Sequence, residues 1–105
     1  MVKTTKRAVI DTTSSTDLSV VAAITNAKIA VHGYVLAGNN VGNAHAWRWE
    51  DGAGGTALSG VMKTSGNHIV VPFSEHPWIK TSVNTALSLE VIGAAAGHII
   101  YSEEY

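Results

Sequence analysis

Lys28-Ile-Ala-Val-His-Gly-Tyr-Val-Leu-Ala37 is the longest apolar run in the chain, and Gly38-Asn-Asn40 closes it. Its β-branched and aromatic side chains fit a pleated strand better than a helix, where they lose rotamer freedom against the preceding turn. Alternation puts Ile29, Val31, Gly33 and Val35 on one face and Ala30, His32, Tyr34 and Leu36 on the other. Both faces are largely apolar. A strand apolar on both sides in so short a chain must be covered twice, by a loop folded over it or by a second subunit.

Outward from this run, short strand-like segments recur between clusters of Gly, Asn and Ser. Lys6–Ile10 and Ser19–Ile24 precede it, and Ala44–Trp49 follows. Then come the short Ala57-Leu58 and Val61-Met62, Asn67–Phe73 with Pro72 marking an edge or end, Trp78–Thr81, Ala86–Ile92 and His98–Ser102. Gly93-Ala-Ala-Ala-Gly97 joins the final pair. Leu87, Leu89 and Val91 share one face of their strand, with Ser88, Glu90 and Ile92 opposite. Ile69, Val71 and Phe73 point one way, His68 and Val70 the other. Only residues 17–31 invite a helix, with Asp17 as its cap, and their Val, Ile and Thr content argues for strand. Turn signals about every 8–12 residues are the spacing of an antiparallel sandwich or barrel. The expected fold is all-β, a single antiparallel β-sandwich over residues 8–105 behind a basic arm at 1–7.

The 105 residues make one domain. Hydrophobic residues are 46% of the chain and charged ones only 14%, against about 25% in ordinary globular domains. So few charges point to surface hidden against a partner. A net charge of −1 offers nothing to a nucleic acid or an anionic membrane. The chain has no cysteine, which excludes disulfides, thiol catalysis and cysteine-ligated metals. No apolar stretch follows Lys3, Lys6 and Arg7, so neither a secretory leader nor a membrane anchor is expected.

Chemistry-bearing residues form no known constellation. No two of the five histidines, His32, His45, His68, His76 and His98, lie closer than eight positions, and metal ligands usually include a close pair. Ser65-Gly66-Asn67-His68 is a turn entering a strand, and no Gly-x-Ser-x-Gly occurs. Glu50–Asp51 and Glu103–Glu104 are sequence neighbours, which on a strand point apart and cannot flank one bond. Gly52-Ala-Gly-Gly55 has no Gly-Lys-Ser/Thr after it and reads as a hairpin connection. No catalytic, cofactor or metal residues are assigned, and the chain is not expected to be an enzyme. Trp47 and Trp49 share a face with His45, while Arg48 turns away with Ala46 and Glu50. Such a stripe serves core, subunit contact or sugar stacking. Core or interface is the stronger reading in a small chain.

One ordered set of residues looks familiar. Gly33-Tyr34-Val35-Leu36 leads to Trp49 before a Gly-rich turn, then Thr56-Ala-Leu-Ser-Gly60-x-Met62, Val71-Pro72-Phe73 and Trp78-x-x-Thr81. Ala86-Leu87-Ser88-Leu89 and a closing Gly97-His-Ile-Ile-Tyr101 complete it. Over roughly residues 28–102 the chain resembles the small β-sandwich head decoration, or cement, proteins of tailed bacteriophages. The resemblance implies a jelly-roll-like sandwich, a homotrimer, and the phage major capsid protein as partner. It also implies a place on the outer surface of the virion capsid after synthesis in the host cytoplasm, a shell-stabilising role and no enzymatic activity. From charge and aromatic pattern, Lys3, Lys6 and Arg7 are the expected capsid contacts, and His32, Tyr34, Trp47 and Trp49 the expected subunit interface. The competing expectations are a tail or fibre module that binds a host glycan through Trp47, Trp49 or Tyr34, and a cupin-like metal site built from the histidines.

Overall fold

A computed structural model of the chain describes residues 4–38, 44–65 and 68–105. Every regular element among them is a strand: β1 (Lys6–Thr12), β2 (Thr16–Val21), β3 (Lys28–Ala37), β4 (Ala44–Asp51) and β5 (Thr56–Ala57). After these come β6 (Met62–Ser65), β7 (His68–Val71), β8 (Ile79–Lys80), β9 (Leu87–Ile92) and β10 (Ala95–Glu104). They form two antiparallel sheets. The first runs β1-β10-β3, with β7 and β8 both on the free edge of β3. The second runs β2-β9-β4, with β5 and β6 both on the free edge of β4. The expected antiparallel β-sandwich is the observed architecture.

The core is the space between the sheets. Trp47 and Trp49 from β4 and Leu87, Leu89 and Val91 from β9 meet Ile10 from β1, Ile29, Val31, Tyr34 and Leu36 from β3, and Ile99 from β10. The Tyr34 ring meets the Trp49 ring edge-on at 5.3 Å, an arrangement that suits the two quadrupoles. Trp47 Nε1 donates to Ala94 O at 2.9 Å, and His45 stacks on the Trp47 ring at 6.0 Å.

β3 departs from simple alternation, and a bulge is the reason. On β10, Ile100 lies opposite Gly33 and Tyr101 opposite Val31, so His32 is an extra residue without a ladder partner. The insertion reverses the side-chain parity. Ile29 and Val31 before it, and Tyr34 and Leu36 after it, all point into the same core. The strand is therefore not apolar on two opposed faces in the expected way. At the bulge, the chain itself covers the outward side. The edge is paired by β7 on one side of His32 and by β8 on the other, and residues 72–78 pass over the gap. Ser74 N donates to His32 O at 2.9 Å, and Trp78 N donates to Val31 O at 2.8 Å. His32 Nδ1 lies 2.8 Å from Ser74 O. A carbonyl only accepts, so Nδ1 carries the proton and Nε2 accepts from the Ser102 hydroxyl at 2.7 Å.

Other expectations shift by about three residues. β2 sits at 16–21 rather than 19–24, and the β9–β10 turn is confined to residues 93–94, so Gly97 lies inside β10. Asn26 and Asn84 both adopt positive φ, which asparagine tolerates better than most residues. The Asn84 side chain accepts from Asn26 N at 2.6 Å and ties the two turns together. At the other end of β4, Asp51 accepts from Ser82 N at 2.8 Å and from the Ser82 hydroxyl at 2.6 Å, fastening the β8–β9 connection to the second sheet.

Candidate functional site

The outward face of the first sheet carries the feature that points to function. Register fixes a row across four strands: Val9 on β1, His98 on β10, Val35 on β3 and Val70 on β7. The next row holds Arg7, Ile100 and Gly33. Phe73 belongs to the same side. It was expected to share a face with Ile69 and Val71, which do pack on the core. β7 ends at Val71, however, and Phe73 turns outward to stack on His32 at 5.8 Å. Val9 is 70% exposed, Val70 58% and Phe73 54%.

Between Val70 and Phe73 on one side and His98 and Ile100 on the other lies an open groove of about 200 Å³. Gly33 makes its floor possible. A Cβ there would stand 3.0 Å from Val71 O and 3.1 Å from the Phe73 backbone. Val9, Val70 and Phe73 are among the more exposed large apolar side chains of the described residues, and a gathering of such residues on one sheet face is the kind of patch that serves as an interaction surface. Burying a whole Val or Phe side chain is worth about 1.5–3 kcal/mol. Three that are roughly half exposed supply on the order of 3 kcal/mol, before the cost of association. A contact worth so little is weak on its own.

The residues singled out from the sequence fall in different places. His32, Tyr34, Trp47 and Trp49 are all buried within the single chain. Their side chains fill the core and the His32 bulge, so none offers a surface to a second subunit, and the two tryptophans form no sugar platform. His45 is buried beside Trp47, His98 lies on the outward row, and His68 and His76 are exposed. Among the described residues no histidine joins a cluster of metal-ligand atoms. Trp78 is half exposed on the loop over β3, its Nε1 donating to Pro72 O at 3.0 Å. Lys3 lies outside the described residues. β1 begins at Lys6, so Lys6 and Arg7 belong to the sheet rather than to an arm. Arg7 joins the outward face opposite Ile100, while Lys6 is held by Glu103 at one end of the sandwich. The outward row leaves no local signal in the chain, because it depends on the register of four strands.

The Lys6–Glu103 pair sets one titration. Its hydrogen bond from Lys6, joined by one from the Tyr105 hydroxyl at 2.7 Å, holds the Glu103 carboxyl below the usual carboxylate range. Whatever stability this lends is present above the ordinary glutamate pKa and is lost as pH falls through the lowered midpoint. Lys6→Ala should raise the Glu103 midpoint when the carboxyl carbon is followed by NMR. An unmoved midpoint would show that Lys6 is not its cause.

Comparison with known protein families, with curated proteins and with solved structures found no match to this chain.

Proposed function

We propose that this chain is a structural virion protein of the capsid-decoration kind. It attaches to the phage major capsid protein on the outside of the head and acts as a homotrimer. The observation that carries this reading is the exposed row Val9–His98–Val35–Val70 with Phe73 and the groove beside it. The face is largely apolar, with His98 in the row and Arg7 beside it, which suits a protein surface better than a small polar substrate.

Two further features support it. The strand orders β1-β10-β3-β7 and β2-β9-β4-β5 come from a chain that crosses between the sheets repeatedly, at β1–β2, β2–β3, β3–β4, β6–β7, β8–β9 and β9–β10. That wrapping favours the jelly-roll form of the sandwich, an architecture shared with viral capsid domains. The weakness of a single face also fits a symmetric binder. Three copies touching several capsid subunits gain avidity, and a protein that binds only the assembled shell stabilises it by linkage.

The test uses purified expanded heads and the full chain. Light scattering should give a trimer, three times the chain's 11.0 kDa, free or on the shell. Val70→Asp puts a charge at the β7 end of the row, beside the groove and at an exposed position, so the sandwich stays folded. It should lower occupancy of heads by about tenfold or more, since each 1.4 kcal/mol lost is a factor of ten. Undiminished decoration by Val70→Asp would remove the face from the interaction, and no binding of the parent chain to heads would remove the reading itself.

A further inference from the structure

The outward face of the second sheet presents a different chemistry. Asp17 on β2 stands opposite Glu90 on β9, and Glu90 stands opposite Arg48 on β4. Glu50, two residues along β4 from Arg48, shares its face and is buried. Carboxylate oxygens of Asp17, Glu50 and Glu90 lie within 4.8 Å of one another. Arg48 Nη2 reaches Glu50 Oε2 at 3.0 Å and Glu90 Oε2 at 3.3 Å. One guanidinium against three carboxylates leaves two negative charges in excess.

A second feature of the same spot concerns Ser88. Its hydroxyl is wholly buried and has no hydrogen-bond partner. Ser88 is two residues from Glu90 on β9 and directly opposite Glu50 on β4, so its side chain rises on the cluster's side of the sheet. Cross-strand neighbours of this kind have Cβ atoms about 5 Å apart. A buried hydroxyl left unpaired is costly and uncommon, and an additional ligand beside Glu50 would give it a partner.

We propose that Asp17, Glu50, Glu90 and Ser88 bind one calcium ion on the outer face of the second sheet. Every donor is a hard oxygen, which suits Ca²⁺ or Mg²⁺ and not the metals that favour nitrogen or sulfur. Coordination geometry separates the two. Calcium accepts about 6–8 oxygens in an irregular, adaptable shell, whereas magnesium demands a near-ideal octahedron and gives up its own water reluctantly. The ion's double charge balances the excess that Arg48 leaves, and water completes its shell. The site ties β2, β9 and β4 together, so it holds the sheet rather than performing chemistry.

The test is thermal unfolding of the full chain in chelator-treated buffer, with CaCl₂, MgCl₂ or NaCl added at matched ionic strength. For a site of about 0.1–1 mM affinity, Ca²⁺ at about 10 mM should raise the melting temperature by roughly 5–10 °C. Magnesium should give much less and sodium nothing. Asp17 is exposed, so Asp17→Asn folds. It should lose most of the calcium effect, while melting in chelator no lower than the parent because a repulsive charge has gone. Calorimetric titration should give one Ca²⁺ per chain. No rise with calcium, an equal rise with magnesium, or a full rise in Asp17→Asn would each overturn the site.

Discussion

Trp49→Ala should lower the free energy of unfolding by about 3–5 kcal/mol. The indole is fully buried between the sheets and meets Tyr34 edge-on. Neighbours on two strand layers cannot collapse into the space it leaves, so the cost includes a cavity as well as lost burial. Against a total of about 5–15 kcal/mol for a domain, this removes about a fifth or more of the stability. Phenylalanine separates volume from hydrogen bonding. Trp49 Nε1 is buried without a hydrogen bond, so Trp49→Phe removes an unmatched donor along with some volume and should cost much less than alanine. Trp47→Phe should cost more than Trp49→Phe, because it strands Ala94 O, which accepts from Trp47 Nε1 at 2.9 Å. Urea unfolding followed by circular dichroism measures all three. A loss below about 1 kcal/mol in Trp49→Ala would mean that the ring contributes little packing, and would reopen the sugar-stacking reading.

The tryptophan stripe also shows what a sequence can and cannot tell. Period-two alternation placed Trp47, Trp49 and His45 on one face, and they are on one face. The bounds of β3 were legible too, since the apolar run begins after Lys28 and stops at Ala37, before the Gly-Asn-Asn sequence. What alternation could not give was the bulge. His32-Gly33 sits in an unbroken apolar run, and only the opposing strand decides where an extra residue is absorbed. That one insertion moved Tyr34 and Leu36 into the same core as Ile29 and Val31 and left Gly33 and Val35 outward, while the chain's own 72–78 segment supplies the cover at His32. Phe73 was misplaced for a related reason, because alternation was carried past the residue where β7 stops.

Both candidate sites were out of reach for the same cause. Val9, His98, Val35 and Val70 become neighbours only through three registers, and Asp17, Glu50 and Glu90 only through two. A sequence scan weighs adjacent carboxylates such as Glu50 and Asp51, which the strand sends to opposite faces. Glu50 turns to Arg48 and Asp51 to Ser82. Long-range pairing assembles each site from residues that carry no local signal.

Gly97→Ala should be about as damaging as loss of a core tryptophan. The sequence reads Gly97 as part of a flexible connection, where alanine would be harmless. Instead it lies inside β10, the central strand of the first sheet, between Ile10 on β1 and Leu36 on β3. Its φ is 145°, a region that side chains disfavour. A Cβ there would overlap the Val35 carbonyl oxygen and stand 2.8 Å from its carbon. That obstacle is backbone in a paired strand, so relief requires β3 and β10 to move apart. Backbone strain of about 1–3 kcal/mol and overpacking of about 1–3 kcal/mol together give roughly 2–6 kcal/mol. Gly54 is the control. Its φ of 71° is also positive, but nothing lies within 4 Å of a Cβ placed there. Gly54→Ala should therefore show backbone strain alone, and the difference between the two variants isolates the clash with β3. The displaced carbonyl belongs to Val35, within the outward row, so, on the proposed function, Gly97→Ala should also weaken attachment to heads under conditions where it remains folded. If both glycine variants unfold at the same urea concentration, the close approach of β10 to β3 is not what requires glycine at position 97.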